Sequence, residues 1–318
     1  QPFAAVTVIF RPEESPAADS KAVFAYSGNT LETPYYRIAW NEEGQLTCIF
    51  DKETERSVLK EGQLGNVLEI YEDKPINFDA WDIDIFYGQK MERVSQAKAP
   101  ELLELGELKA AVRFEFRYDI QFGHVERPTH WNTSWDWARF EVCGHKWADL
   151  SETGYGVSLL NDCKYGYSIK DNVIKLSLLK SAVYPDTEAD KGVQEFTYSL
   201  YPHKGSVTEG GTIQAANQLN LPAEAVPGAF ADQRKIVKLS TDRVQIDAIK
   251  KAEDEECLIV RLHECVGGRE RVKLCSEFPV KKLVPCNLLE HDCGECIEGA
   301  EAVFDITPFE IKTFKLYF

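Results

Sequence analysis

The sequence predicts an all-β protein, and three observations carry that expectation. Short runs rich in β-branched and aromatic residues alternate with Gly, Pro, Asn and Asp turns. The clearest run, Leu108 to Arg117, keeps a period of two, with Val112, Phe114 and Phe116 on one face and Arg113, Glu115 and Arg117 on the other. Helical periodicity with capping residues is scarce throughout, so layered antiparallel sheets are the expected architecture.

In chain order, Val6 to Phe10 reads as an opening strand, and Pro12 to Ser20 as a Pro/Glu/Ala/Ser linker, which implies that further chain precedes it. Leu31 to Trp40, a turn at Asn41 to Gly44, Gln45 to Phe50, a turn at Asp51 to Thr54, and Val58-Leu59 read as antiparallel strands. Asn66 to Asp73 leads into Phe78 to Asp84, where Asp79, Asp82 and Asp84 flank Trp81. Later strands are expected at Gly156 to Leu160, Val173 to Leu179 and Gln194 to Tyr201, with a charged loop carrying Pro185, Asp186, Asp190 and Gly192 before the last. Ile213 to Leu219 reads as a short helix or turn, and Pro222 to Gly228 as the clearest linker. Beyond it, Val244 to Ile249, Cys257 to Leu262, Arg271 to Leu274, a charged turn, Ala302 to Ile306 and Ile311 to Leu316 make a small β-sandwich. The expected division is residues 1–30, strand and linker; 31–221, a large β domain; 222–230, linker; and 231–318, a small sandwich.

With 36 Lys and Arg against 52 Asp and Glu, the net charge of −16 argues against nucleic acid or an anionic membrane as partner and favours a neutral ligand such as carbohydrate. No run approaches the roughly 18 apolar residues of a membrane span, and the first residues lack a signal-peptide pattern, so a soluble, cytosolic chain is the expectation. Nine cysteines, odd in number and thinly spread, suit a reducing compartment.

The chain is organised around Tyr118 to Phe140 and the following Asn161 to Tyr167. Trp131, Trp135 and Trp137 are half of the six tryptophans, and they sit beside Arg127, His130, Asn132, Thr133 and Asp136. Flat rings beside directed polar groups suit a sugar, whose C–H faces stack while its hydroxyls need partners. The alternative is a sandwich core with tryptophans inside and a polar loop outside. The carboxylates around Trp81 likewise fit either a sugar contact or a solvated strand end.

Familiar catalytic signatures are missing: no Gly-x-Gly-x-x-Gly, Walker loop, His-Glu-x-x-His or Gly-x-Ser-x-Gly occurs. Cys293 and Cys296 have the spacing of half a zinc site, with Cys275 and Cys286 as the thiols that would complete it, and free thiols are the favoured reading. His124 and His130 would share a face of one strand, but Pro128 between them breaks it. A retaining glycosidase needs two carboxyl groups about 5 Å apart, for which Asp79 with Asp162 or Asp136 with Glu141 are the pairs to test.

Several of these segments together resemble the C-terminal half of class II α-mannosidases, glycoside hydrolase family 38, of the cytosolic and bacterial branch. The resemblance is carried by Asp79 to Ile83, Ile120-Gln-Phe-Gly-His-Val-Glu-Arg-Pro-Thr-His130, Asn132 to Val142 and His145 to Glu152. Leu159-Leu-Asn-Asp-Cys-Lys-Tyr-Gly166, Phe196 to Gly205 and Pro308 to Phe314 extend it. It implies a galactose-mutarotase-like supersandwich followed by a small C-terminal sandwich. It further implies that zinc and the aspartate nucleophile of a retaining mannosidase belong to an N-terminal catalytic domain, leaving this stretch without metal, nucleophile or hydrolysis of its own. Its partners would then be that catalytic domain and an α-mannoside, with self-association left open. The substrate-contacting residues implied are Asp79, Trp81, Asp82, Arg127, His130, Asn132, Thr133, Asn161, Asp162, Lys164 and Tyr165, with Lys180 to Gly192 a further loop; for Arg127 and His130 the alternative is bracing the Asn132–Thr133 loop.

In one respect the chain departs from the resemblance: relatives carry further strands between the equivalents of Arg117 and Tyr118, so the large sandwich is expected to be incomplete, or interrupted, at this point. Two other readings remain beside the mannosidase one. One is a free-standing carbohydrate-binding β protein, and the other a mutarotase-like epimerase using a His and a Glu as acid and base.

Overall fold

A computed structural model describes residues 24–76, 78–94, 118–127, 129, 131–222 and 234–318. The strands expected at Val6 to Phe10 and Leu108 to Arg117, the linker at Pro12 to Ser20, most of the linker after Pro222, and the Arg117 side of the junction lie outside the described residues. Within them the chain is β-rich, as the turn spacing requires, with two α-helices, Ser134–Trp137 and Thr212–Asn220, and one 3-10 turn, Ile85–Gln89.

The centre of the large domain is a three-stranded antiparallel sheet, in which Tyr155–Asn161 lies between Trp147–Glu152 and Tyr198–Lys204. Period-two alternation gives this sheet two different faces. Leu159, Ala148, Tyr198, Val157 and Leu200 point one way, into clusters shared with Leu31, Ile38 and Ile49 of an N-terminal five-stranded sheet and with Tyr167 and Ile169 of the Gly166–Lys170 strand. Trp147, Leu160 and Tyr201 point the other way, under helix Thr212–Asn220, where Ile213 and Ala216 close a third cluster.

That second face also carries a buried polar network. His203 Nε2 lies 2.9 Å from Asp149 Oδ1, Ser158 Oγ donates to the same carboxylate at 3.2 Å, and Ser158 meets Thr212 at the helix start at 2.6 Å. The His203 ring leaves no room for a side chain beside it: a Cβ on Gly156 or Gly210 would come within 2.4 or 2.3 Å of it. Each polar group in the network has a partner, which removes most of the desolvation penalty of placing them there.

Residues 234–318 form a separate sandwich. A five-stranded sheet with Val244–Lys251 and Ile297–Glu298 at its edges faces a three-stranded sheet of Lys238–Leu239, Glu270–Cys275 and Glu301–Ile306. Val260, Leu262, Leu283, Phe314 and Leu316 from the first interdigitate with Leu239, Val272, Leu274, Ala302 and Ile306 from the second. The charged turn expected between Leu274 and Ala302 contains a strand, Lys282–Cys286, paired in the five-stranded sheet between the central Ile311–Tyr317 and the edge Ile297–Glu298. The strand expected at Gln194 starts later, at Tyr198, and Leu31 to Trp40 is broken at Thr33, whose hydroxyl oxygen accepts from the Tyr35 and Tyr36 amides.

The two domains meet along a polar and aromatic seam. The hairpin of Tyr118–Ile120 and Gly123–Val125 carries Phe122 against His263 (ring centroids 5.4 Å) and His124 against Phe309 (5.6 Å). Phe122 and Phe309 both hold left-handed backbone, φ 59° and 57°, a conformation that non-glycine residues adopt only where the surroundings fix it. Glu264, fully buried, fixes one of them: its carboxylate accepts from the amides of Val266 (3.0 Å), Gly267 (2.8 Å) and Phe309 (3.0 Å).

Candidate functional site

The residues singled out in the sequence fall in three places. At one end of the large domain, two loops distant in sequence are tied together. Asp79 accepts from the amides of Val183 (2.8 Å) and Tyr184 (3.0 Å) through its two carboxylate oxygens. Lys180 bridges the Asp73 carboxylate and the carbonyl of Asp82, the latter at 2.9 Å. The Asp79–Asp82 and Lys180–Gly192 segments therefore form one face. Asp84 caps the 3-10 turn by accepting from the Phe86 amide at 3.2 Å, and Asp82 accepts from its neighbour Ile83 at 3.1 Å. The acidic run is thus mainly loop-bracing.

What that face presents outward is apolar. Trp81 is 71% exposed with its ring 5.9 Å from Phe78, itself 59% exposed, and Val183 and Tyr184 are 65% and 59% exposed. Beside it opens a cleft of about 410 Å³ lined by Glu72, Lys74, Phe86, Tyr87 and Lys90. Lys74 and Lys90, each within 2.8 Å of the Glu72 carboxylate, hold its pKa down to about 2.

The second place is the tryptophan segment. Thr133 N-caps helix Ser134–Trp137 in a reciprocal box with Asp136, and the Trp137 indole donates to the Trp131 carbonyl at 2.9 Å. Trp135 and Trp137 are exposed, 74% and 51%, so this segment is not the inside of a sandwich. Arg127 and Asn132 are exposed, and His130 lies outside the described residues.

The third place is the loop after Asn161. Asn161 is fully buried: its amide donates to the His145 carbonyl (2.8 Å) and to the Tyr167 hydroxyl, while its oxygen accepts from the amides of Cys163 (3.0 Å) and Lys164 (2.6 Å). All four hydrogen-bonding positions are taken, so Asn161 shapes the loop and has none left for a sugar hydroxyl. Asp162 accepts from the Thr197 amide with both oxygens at 3.0 Å. Burial works against its ionisation, yet the Thr197 and Cys163 hydrogen bonds outweigh burial and hold its carboxyl below the usual range. Lys164 lies 5.0 Å over the Phe196 ring, and Tyr165, 46% exposed, packs against His145.

The carboxylates of the two pairs considered from the sequence are each engaged by donors of their own. Asp79 and Asp162 are engaged by different backbone amides, whereas Asp136 closes a helix cap and Glu141 accepts from Tyr87 Oη at 2.8 Å and Ser177 Oγ at 3.3 Å. Burial raises the Glu141 pKa despite those two donors. All nine cysteines are free thiols, and among the described residues no three His, Cys, Asp or Glu side chains come together as a metal site. Among them, too, no helix is long and apolar enough to cross a membrane. Residues that sequence reasoning missed include Lys146, Asp247 and His263, which line a second cleft at the seam.

Known proteins share this fold. The model for the glycosyl hydrolases family 38 C-terminal domain matches residues 31–119 and 114–188, two segments that overlap across the Arg117–Tyr118 junction. The model for the family's C-terminal beta sandwich domain matches residues 243–314. Alpha-mannosidase G of Dictyostelium discoideum is 35% identical over 91% of this chain and 32% of its own length. Human alpha-mannosidase 2C1 is 35% identical over 82% of this chain and 30% of its own length. The chain thus spans about a third of the length of these relatives. The crystal structure of an alpha-mannosidase from Enterococcus faecalis V583 superposes with a TM-score of 0.60 over 92% of this chain and 43% of its own, at 16% identity, a likeness of fold. On these grounds the chain belongs to glycoside hydrolase family 38 and represents its C-terminal, β-rich part.

Proposed function

We propose that this chain is the scaffolding and substrate-facing part of a retaining α-mannosidase, with the bond-breaking groups carried by protein outside this stretch. The observation that carries the reading is the braced loop face: Asp79 and Lys180 spend their polar groups on holding two loops together, while Phe78, Trp81, Val183 and Tyr184 stand exposed. A contiguous apolar face of this kind is a docking surface, and its tryptophan offers a flat ring for the C–H face of a mannose. The natural occupants are the catalytic domain of the same enzyme and the sugar held between the two.

Zinc, implied by the family resemblance, does not fit the described residues, which supply no cluster of three metal-ligating side chains. No step of the proposed role passes through it. The free thiols favour a reducing compartment, which for this reading means the cytosol.

The test is hydrolysis of an aryl α-mannoside by the purified chain, with and without added zinc. No release of the phenol is expected. Turnover by the chain alone would overturn the reading and favour catalytic carboxylates within it.

A further inference from the structure

The seam between the two domains encloses a cleft of about 280 Å³, well away in sequence from the braced loop face, and Phe122, Lys146, Trp147, Tyr165, Asp247 and His263 are among its walls. We infer that this cleft is a second ligand site, built for a single neutral pyranose ring.

Three independent irregularities converge there. Strand Val244–Lys251 shifts register between Ile246 and Ala248, and the residue released from pairing is Asp247, whose carboxylate oxygens both lie 2.9 Å from His263 Nδ1. Bulges recur where a strand must re-aim one side chain. Phe122 sits at the tip of its hairpin with φ 59°, edge-on to His263. Trp147, 1% exposed, has an indole N–H with no acceptor among the described residues, which is a costly state for a buried donor.

The chemistry of the walls selects the ligand. Lys146 Nζ is 3.0 Å from Asn217 Oδ1, and one ammonium against one carboxylate leaves no excess charge to hold a phosphate or a cation. Phe122 and Tyr165 bring aromatic rings to the walls, and Trp147, Lys146 and Asp247, also in the walls, carry two donors and an acceptor. Rings beside directed polar groups are what a hydroxylated ring needs, and the volume falls just below the usual range of about 300–1,000 Å³ for ligand pockets, room for one sugar ring and not a chain. Cys265, also in the wall, has its thiol pushed up to about 12 by burial first and the Glu264 charge second, so it takes no part as a nucleophile. Because both domains contribute walls, a bound ring would also fasten them together.

The inference is independent of the role proposed for the braced loop face, and the experiment separates the two. The ¹⁵N-labelled chain is titrated with D-mannose, methyl α-D-mannoside and myo-inositol, and its six indole N–H signals are followed, the one lost in Trp147→Phe being that of Trp147. The expected result is a saturable shift of the Trp147 signal with a pyranose at millimolar concentration and a weaker response to inositol. Affinity read by saturation transfer should fall about tenfold in Trp147→Phe and in Asp247→Ala, the loss of one hydrogen bond each, and stay unchanged in Trp81→Ala. Tyr165→Ala, at an exposed position, gives the same reading should the buried Trp147 variant fail to fold. An unmoved Trp147 signal, inositol bound as well as mannose, or affinity untouched by these cleft substitutions would overturn the inference. Loss of binding in Trp81→Ala with the cleft variants unaffected would overturn it too, by moving the sugar to the loop face.

Discussion

The C-terminal sandwich and the loop face of the large domain solve opposite problems. In the sandwich, apolar side chains from two sheets close on one another, and an internal charge such as Glu264 is met by three backbone amides. At the loop face the arrangement is inverted, with polar groups bracing backbone while Trp81, Phe78 and Val183 face solvent. The difference teaches that the sandwich closes its apolar side chains on one another, whereas the loop face leaves its own in solvent.

Substitutions should separate the two regions sharply. The largest effect is expected for Glu264→Ala, which takes the acceptor from three backbone amides and releases the Phe309 loop; chemical denaturation should show a loss of about 2–3 kcal/mol. A loss below about 1 kcal/mol would mean the seam is wet and the sandwich less closed than its contacts imply.

Asp162→Asn should cost about 1 kcal/mol at neutral pH, because one oxygen still accepts from Thr197. The folded-state pKa of Asp162 is lowered, so its contribution is full above the ordinary carboxylate range and fades as pH falls through the folded value. The gap between wild type and Asp162→Asn should therefore narrow in acid, and a gap that widens in acid would assign the loop's stability to another group.

The smallest effect on stability belongs to the bare face. Phe78→Ala and Trp81→Ala should each change the unfolding free energy by no more than about 0.5 kcal/mol, as for surface positions generally. The same variants should weaken association with the catalytic domain. A large stability loss with association intact would make this face core and erase the contrast.

Much of the strand order was legible because alternation is local: Tyr155–Asn161, Val244–Lys251 and Ile311–Tyr317 lie where apolar residues recur at every second position. The strands missed have identifiable causes. Trp147–Glu152 turns Asp149 toward a buried His203, so its inward face reads as polar. Lys282–Cys286 carries Pro285 and follows a lysine, which resembles a turn, yet Pro285 pairs opposite Phe314 and its carbonyl accepts from Cys293 at 3.0 Å. Pro lacks a donor but keeps its acceptor, and that is all this position in the sheet requires.

The stretch from Tyr118 to Phe140 reads as one unit in sequence and divides into two in the fold. Gly123–Val125 and the turn before it belong to the seam, and Thr133 to Trp137 is an exposed capped turn. Nothing in the local pattern separates them, since both mix aromatic and polar residues. Asn161 reads in sequence like a binding residue and is instead a fully satisfied brace. Lys146, Asp247 and His263 carried no signal, for the first lies about 100 residues from the other two and they meet only at the seam.

By itself, then, the sequence determined the β class, most strand positions and, through its motif resemblance, the family, because hydrophobic period and turn chemistry act over a few residues. Only the tertiary structure decided which polar side chains are spent on the protein and which remain to meet a ligand. That choice is made by partners such as Val183 for Asp79, or His263 for Asp247, which packing brings together across distances no local pattern records.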